Sequence, residues 1–278
     1  MESKDFTKNI SHISKFKNKV FVIKIGGSIL QDKKNIKSTI EDFVFLAKNG
    51  IKTIIVHGGG KDINDELKIH KIEPKFVDGV RFTDDKTMEI VEMVLSGKVN
   101  KSIVEEANHQ GLNAIGISGK DANFIQAKKI EKLGNVGEVV KIKTDIINIL
   151  LESGFIPIIS PVCFDNNYKS LNVNADNVAV ATAKELKAEK LIFLTDINGV
   201  YKDKNDKNTL ISTILTKDIE NMIKEKVITD GMIPKIKSCG EAVECGIKTI
   251  HIINGAIQHS MLLGINPDNN IGTVIKKD

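Results

Sequence analysis

VFVIKIGGS, residues 20–28, decides the fold. Six residues rich in β-branched and aromatic side chains run straight into a pair of glycines. Both faces of the run are apolar, which marks a strand buried on two sides. The same arrangement recurs at KTIIVHGGGKD (52–62), KLIFLTDINGV (190–200) and KTIHIINGA (248–256). Further short apolar runs lie at NAIGIS (113–118), FIPIIS (155–160) and GTVI (272–275). Helical spacing fills 35–48, 61–71, 84–110, 143–153, 175–187, 216–226 and 233–246. Strands apolar on both faces, alternating with helices, predict an α/β fold, a three-layer sandwich with a central mainly parallel sheet. Segments 120–142 and 163–172 read as hairpins or loops, and no repeat or low-complexity linker divides the chain.

In open parallel sheets ligands bind beyond the carboxyl ends of the strands, where glycine admits a ligand close to backbone and helix N-termini attract anions. A GG after one strand and a GGG after the next therefore mark a crevice. HGGGKD lacks the upstream glycine and the Lys-Ser/Thr ending of a P-loop, and no GxGxxG opens a helix. Lys24 lies within the first strand, where a charge is costly unless it stands at the strand's end or has a partner. With two glycines following, it should project over the crevice. Lys235, just after Pro234, sits in the first turn of a helix, where a cation opposes the helix dipole. Either the helix tolerates a small penalty or a phosphate docks there. Asp176, in SLNVNADN, reads as a first-turn acid or as the counter-ion of both lysines, with Asn172 or Asn174 as a cap. Asp196 stands where a nucleotide or its metal could reach. His57 has no local acid and reads as structural.

FVDGVRFTDD (76–85) holds Arg81, the only arginine among forty basic residues. A guanidinium offers a planar fork that grips a carboxylate or phosphate with two parallel bonds, which an ammonium cannot do. The position reads as an oxyanion ligand, as a structural ion pair, or as chance in a lysine-biased composition; the first is favoured.

The 278 residues suffice for one large α/β domain or two lobes sharing a sheet. A net charge of +4 spread over scattered lysines, with no tryptophan, argues against nucleic acid. Cys163, Cys239 and Cys245 show no metal or disulfide spacing and point to a reducing cytoplasm. The opening residues lack the apolar core of a signal peptide, and no apolar run spans a membrane. Two lysines, an acid and glycine-lined strand ends suit the neutralisation of phosphate charge. If the acceptor is a carboxylate, already ionised at neutral pH, phosphoryl transfer needs no catalytic base.

KIGGS, VHGGG, DGVRFTD, LNVNAD, TDINGVY and DGMIPK, in this order and spacing, resemble the amino-acid kinase family, and within it the kinases of N-acetyl-L-glutamate. The resemblance covers Val20 to Ile275. It implies an acceptor lobe at 19–185 and an ATP-binding lobe at 186–278, preceded by a helical extension at 1–18. Lys24 and Lys235 would stabilise the transferring phosphoryl group and Asp176 would orient them. Gly59, Gly60, Arg81 and Asn172 would hold the acceptor, with Arg81 on its α-carboxylate. Gly26, Gly27, Asp196, Gly199, Tyr201 and Thr229 would hold ATP, with Mg²⁺ bound mainly through the phosphates and no side-chain metal site. The implied reaction yields N-acetyl-L-glutamyl 5-phosphate, a step of arginine biosynthesis. The alternatives are a kinase of N-acylated aminoadipate, glutamate or UMP, and a non-catalytic nucleotide sensor of the same fold.

Phe6, Ile10, Ile13 and Phe16 form one apolar stripe on a helix ahead of the first strand. Arginine-inhibited members of the family carry such a helix, which links dimers into a hexamer, and an arginine site near the C-terminal end. His251, His259, Gly272 and Thr273 resemble that site, but Gly264 stands where those enzymes have Glu. The resemblance thus implies a homo-dimer or hexamer, and arginine inhibition that is weakened.

Overall fold

Valine and isoleucine density sets where the strands fall. The computed structural model describes residues 12–203, 206–229, 232–266, 269 and 271–278, so Phe6 and Ile10 of the apolar stripe, and Asp230 and Gly231 of DGMIPK, lie outside the described residues. Strand β1 (Val20–Ile25) leads into the short helix α1 (Gly27–Leu30) and then α2 (Lys33–Lys48), which Asp32 caps by accepting from two backbone N–H groups. β2 (Lys52–His57) passes through the glycine turn into α3 (Gly60–Ile69). A hairpin comes next, β3 (Lys75–Val77) and β4 (Val80–Phe82). Its turn residues, Asp78 and Gly79, both have positive φ, at 49° and 78°, the conformation that an Asp-Gly pair suits.

The single helix expected at 84–110 contains a widened turn. α4 (Asp85–Glu92) runs through a π-helical stretch, Met93–Val99, into α5 (Asn100–His109). That stretch includes Gly97 and sets Leu95 and Val99 against the glycine turn, where a Cβ on Gly59 would stand 2.7 Å from Leu95 Cδ2. Next come β5 (Ala114–Ser118), β6 (Ile125–Lys129), β7 (Val136–Ile142), α6 (Asp145–Glu152), β8 (Ile156–Ser160), β9 (Val162–Phe164), β10 (Ser170–Val173), α7 (Ala175–Glu185) and β11 (Lys190–Thr195). The last part holds β12 (Val200–Tyr201), β13 (Leu210–Ile211), β14 (Thr213–Leu215), α8 (Ile219–Lys224), α9 (Met232–Glu244), β15 (Thr249–Asn254), α10 (Ser260–Ile265) and β16 (Thr273–Lys276).

Eight strands form one sheet in the order β14-β16-β15-β11-β1-β2-β8-β5. Its pairings are parallel except β15 with β16. The segments read as hairpins or loops do form the β6–β7 hairpin, but together they close a small barrel, β10-β7-β6-β9. Gly137 serves that closure, since a Cβ there would stand 2.9 Å from Leu171 Cδ1.

Strand side chains alternate between the two faces of the main sheet. Val22, Ile54, Val56, Leu191 and Phe193 join one core with Val178 and Ala179 of α7 and Ile236 of α9. Phe21, Ile23, Ile25, Ile55 and Ile192 join the other with α2, α3, α4, α5 and α10. This gives the three layers. Ile13 (2% exposed) and Phe16 also pack on the second core, Phe16 meeting Phe21 edge-on at 5.4 Å. These two members of the stripe therefore rest on their own chain. Among the described residues no helix is long and apolar enough to cross a membrane.

Candidate active site

Alternation along β1 decides where Lys24 points. It shares the face of Val22, towards α7 and α9, one residue before the strand ends. Asn174 caps α7, its carbonyl oxygen accepting from Asp176 N–H at 2.7 Å, so the Asp176 side chain stands in the first turn. Lys24 Nζ lies 2.8 Å from Asp176 Oδ1, and Lys235 Nζ lies 3.3 Å from Asp176 Oδ2. The two ammonium groups are thus held apart by one carboxylate. Phe193 lies beneath Lys235, whose Nζ is 4.7 Å from the ring centroid. Burial pushes the Asp176 carboxyl up, but Lys24 and Lys235 outweigh it and hold it below its usual range. Cys239 lines the same cavity of about 240 Å³, where burial raises its thiol to about 12 and leaves it unreactive.

Just beyond Lys24 and the end of β1 come the strand-end glycines. Gly26 N–H donates to Leu194 O at 2.9 Å and Gly58 N–H to Ile25 O at 3.2 Å, continuing the sheet by one rung. Gly59 is the N-cap of α3 and Gly60 its first residue, so their N–H groups have no intrahelical acceptor. A Cβ on Gly27 would stand 3.5 Å from Gly60 N and 3.7 Å from Gly59 N. The turn after β1 and the turn after β2 therefore face each other across one narrow gap.

Arg81 reaches the same turn from β4. One guanidinium nitrogen, Nη2, donates to Asn64 Oδ1 at 2.6 Å and to Gly60 O at 3.1 Å, while Phe76 stacks at 4.9 Å. The other, Nη1, is buried with no acceptor among the described residues. Arg81 is 8% exposed, and among the described residues no carboxylate forms an ion pair with it. Burial lowers its pKa, and a guanidinium remains charged regardless. One prong of this buried fork is therefore committed to α3 and the other has room for a further acceptor.

Asn172 is tied to Arg81 through Thr83. Asn172 Nδ2 donates to Thr83 Oγ1 at 3.3 Å, and Thr83 Oγ1 donates to Arg81 O at 3.1 Å. Asn135 stands behind both, its N–H donating to Thr83 O and its carbonyl accepting from Asn172 N–H. On the other side Asp196 is exposed beyond β11. Gly199, at φ 133°, has no room for a side chain, since a Cβ would meet Thr273 Oγ1 at 2.6 Å. Tyr201 and Thr229 are half-buried. Among the described residues no hydrogen bond joins Asp196, Gly199, Tyr201 or Thr229 to the lysine bridge. Asn64 and Thr83 escaped the sequence reading. Asn64 is one helical turn beyond Gly60 and Thr83 two strand positions beyond Arg81, spacings that return a side chain to the same side.

Two cations bridged by an acid, facing free backbone N–H groups and an unneutralised guanidinium, can hold a phosphoryl group and a second anion side by side. A family model described as the amino acid kinase family matches residues 19–254. The acetylglutamate kinase of Thermoanaerobacter pseudethanolicus is 45% identical over 97% of this chain and 91% of its own length. That of Caldanaerobacter subterraneus subsp. tengcongensis is 46% identical over the same shares. Among solved structures, a Streptococcus mutans protein superposes with a TM-score of 0.77 at 30% identity, covering 93% of this chain and 99% of its own. An N-acetylglutamate synthase from Neisseria gonorrhoeae superposes with a TM-score of 0.86 at 22% identity, over all of this chain and 64% of that one; it shares the fold. Glycine turns, lysine bridge and relatives agree: the chain belongs to the amino acid kinase family, in the branch of the acetylglutamate kinases.

Proposed function

We propose that the chain transfers the γ-phosphoryl group of ATP to the side-chain carboxylate of N-acetyl-L-glutamate. What supports this reading is the two-lysine bridge at the end of β1, with the Gly27–Gly60 gap following it and, on the same glycine turn, a buried guanidinium that has no ion pair among the described residues. A carboxylate oxygen of the acceptor attacks the γ-phosphorus, and the bond to the β–γ bridging oxygen breaks, its electron pair leaving with ADP. The acceptor is already ionised, so no proton moves and no base is needed. Lys24 and Lys235 stabilise charge on the transferring group, Asp176 spaces and orients them, and the Gly59 and Gly60 N–H groups donate to the acceptor side. Arg81 takes the acceptor's α-carboxylate and Asn172 lines its site. Gly26, Gly27, Asp196, Gly199, Tyr201 and Thr229 border ATP.

Mg²⁺ bound with ATP would supply further charge neutralisation through the phosphate oxygens. Among the described residues no three His, Cys, Asp or Glu side chains converge to hold a metal by themselves. Hydroxylamine trapping of acyl phosphate tests the reading, with N-acetylglutamate, glutamate, N-acetylaminoadipate and UMP offered separately. Product with N-acetylglutamate alone is expected, and none with any acceptor would favour a nucleotide sensor.

Arginine is the regulator we favour. A cavity of about 360 Å³ is lined by His12 and Phe16 from the N-terminal segment and by Lys190, His251, Gly264 and Gly272. Lys190, lowered to about 8 by burial, offers a cation for a ligand's carboxylate. His259 stands elsewhere, bonded to Asp42 at 2.7 Å, and Thr273 serves the backbone of Val200 and Ile211. With Gly264 in place of an acid, inhibition by arginine should be weak. We place the protein in the cytoplasm, as a dimer or a hexamer linked through its N-terminal segment. Deleting residues 1–17 should leave dimers and abolish the inhibition; inhibition that survives the deletion would separate the segment from the effector.

A further inference from the structure

His57, the last residue of β2, is buried, and the proposed phosphoryl transfer does not use it. Its surroundings nonetheless fix the ring completely. Asn100, 1% exposed at the start of α5, donates from Nδ2 to Ile158 O at 2.9 Å and approaches His57 Nε2 at 3.1 Å. Lys101 Nζ donates to Asn100 Oδ1 at 3.2 Å and to Gly116 O at 3.0 Å. Those contacts decide which way the Asn100 amide points, because a carbonyl can only accept. Nε2 therefore receives a hydrogen bond and carries no proton. The proton sits on Nδ1, which lies 3.0 Å from Gly58 O.

We propose that His57 is the positioning residue of the acceptor glycine turn: its Nδ1–H holds the Gly58 carbonyl back, so that the Gly59 N–H of the same peptide faces the crevice. In a trans peptide the C=O and N–H point in opposite directions. A glycine peptide is free to rotate, since neither flanking residue has a Cβ to resist it. At a Gly58-Gly59 junction a hydrogen bond to the carbonyl is thus the means of setting where the N–H points. The far side of that peptide is the gap shared with Gly27, 3.7 Å from where its Cβ would be. Burial drives the imidazole pKa down to about 4, so His57 stays neutral with a single N–H through the neutral range. The chain of contacts runs from Gly116 at the sheet edge to the turn. A Cβ on Gly116 would stand 1.9 Å from Asn100 Oδ1, so that strand has no room for a side chain there.

The inference rests on the kinase reading, and a test can tell the two apart. Long-range proton–nitrogen correlation on the intact wild-type protein reports the ring tautomer. His57→Asn keeps a donor where Nδ1–H was, whereas His57→Gln places its amide at the Nε2 position. His57→Gln should lose kcat about 10- to 100-fold, less than the 10²–10³ lost on removal of an oxyanion donor itself. KM for ATP and the melting temperature should stay close to those of His57→Asn, which should keep most of kcat. An Nε2–H ring or an imidazolium at pH 7, wild-type kcat in His57→Gln, or equal loss in both variants would overturn the proposal. Should either variant fail to fold, the wild-type tautomer still decides. A wild type inactive on every acceptor would refute the kinase reading and leave the tautomer result standing.

Discussion

Replacing Arg81 with lysine keeps the charge and removes the fork, which makes it the sharpest test of the acceptor site. The wild-type guanidinium divides its work: Nη2 is committed to Asn64 Oδ1 and Gly60 O, and Nη1 is buried without a partner among the described residues. Lysine brings one nitrogen to the same place. It can satisfy Asn64 or the ligand, and it cannot do both with the geometry of two parallel bonds. The loss is therefore about one charge-assisted hydrogen bond, roughly 2–3 kcal/mol. At 1.4 kcal/mol per decade that is about 30- to 150-fold in acceptor affinity. Binding of ATP should hardly change, because Arg81 contacts the α3 side of the crevice. Stability should change little, since the aliphatic stem and the cation above Phe76 are retained. Calorimetric titration with N-acetylglutamate in the presence of a non-hydrolysable ATP analogue measures the effect, and KM values check it. Unchanged acceptor affinity, or an equal loss of affinity for nucleotide, would refute the clamp.

Lys24→Ala and Lys235→Ala should each lower kcat by about 10²-fold or more with modest effects on KM, as expected for groups acting on charge that develops in the transition state; a large fall in melting temperature with a small fall in kcat would assign the bridge to structure instead. Gly27→Ala should fold normally, because its Cβ meets no atom closer than 3.5 Å, yet lose activity, because that Cβ would stand in the gap facing Gly60 N; near-wild-type turnover would sink the reading of the gap as the phosphate site. The contribution of His57 to stability should fall as pH drops from about 6.5 towards 4, because its unfolded imidazole takes a proton across this window while the folded one, at about 4, does not; the difference, up to about 3 kcal/mol, is opposed by the buried Asp42 carboxyl, raised to about 6. Chemical denaturation across that range should give a shallower slope for His57→Asn than for wild type, and identical slopes would contradict the buried neutral ring.

Sequence reasoning located what is periodic and what is chemically odd. The strands from Val20 to Ile25, Lys52 to His57 and Lys190 to Thr195 were legible because each is apolar on both faces over six residues. Lys24 stood out as a charge within an apolar strand, and Arg81 as the lone arginine in a chain that otherwise writes lysine. The short helices α1 and α10 were not, because four and six residues give no helical period to detect. Neither was the small barrel, whose strands β9 and β10 span three and four residues and close onto β6 and β7, which lie more than thirty residues earlier in the chain (Gln126 beside Phe164, Val136 beside Asn172). His57 was read as structural for want of an adjacent acid. Its partner, Asn100, is 43 residues away and is an amide rather than an acid, so no local motif could announce it.

The sheet order explains why these particular segments meet. From β1 the neighbours on one side are β2, β8 and β5, and on the other β11, β15 and β16. The loops leaving β1 and its two neighbours must diverge at its carboxyl end, which opens a crevice without any special loop design. The segments leaving β2 and β8 fall on one side: the glycine turn, the Arg81 hairpin and the barrel strand carrying Asn172. The segment leaving β11, with Asp196, falls on the other. Lys24 stands on the strand between them, and Asp176 ties it to Lys235 on α9. On the proposed reading the phosphoryl group therefore crosses the end of β1, from the β11 side to the β2 side, past the one residue of that strand that could not be apolar.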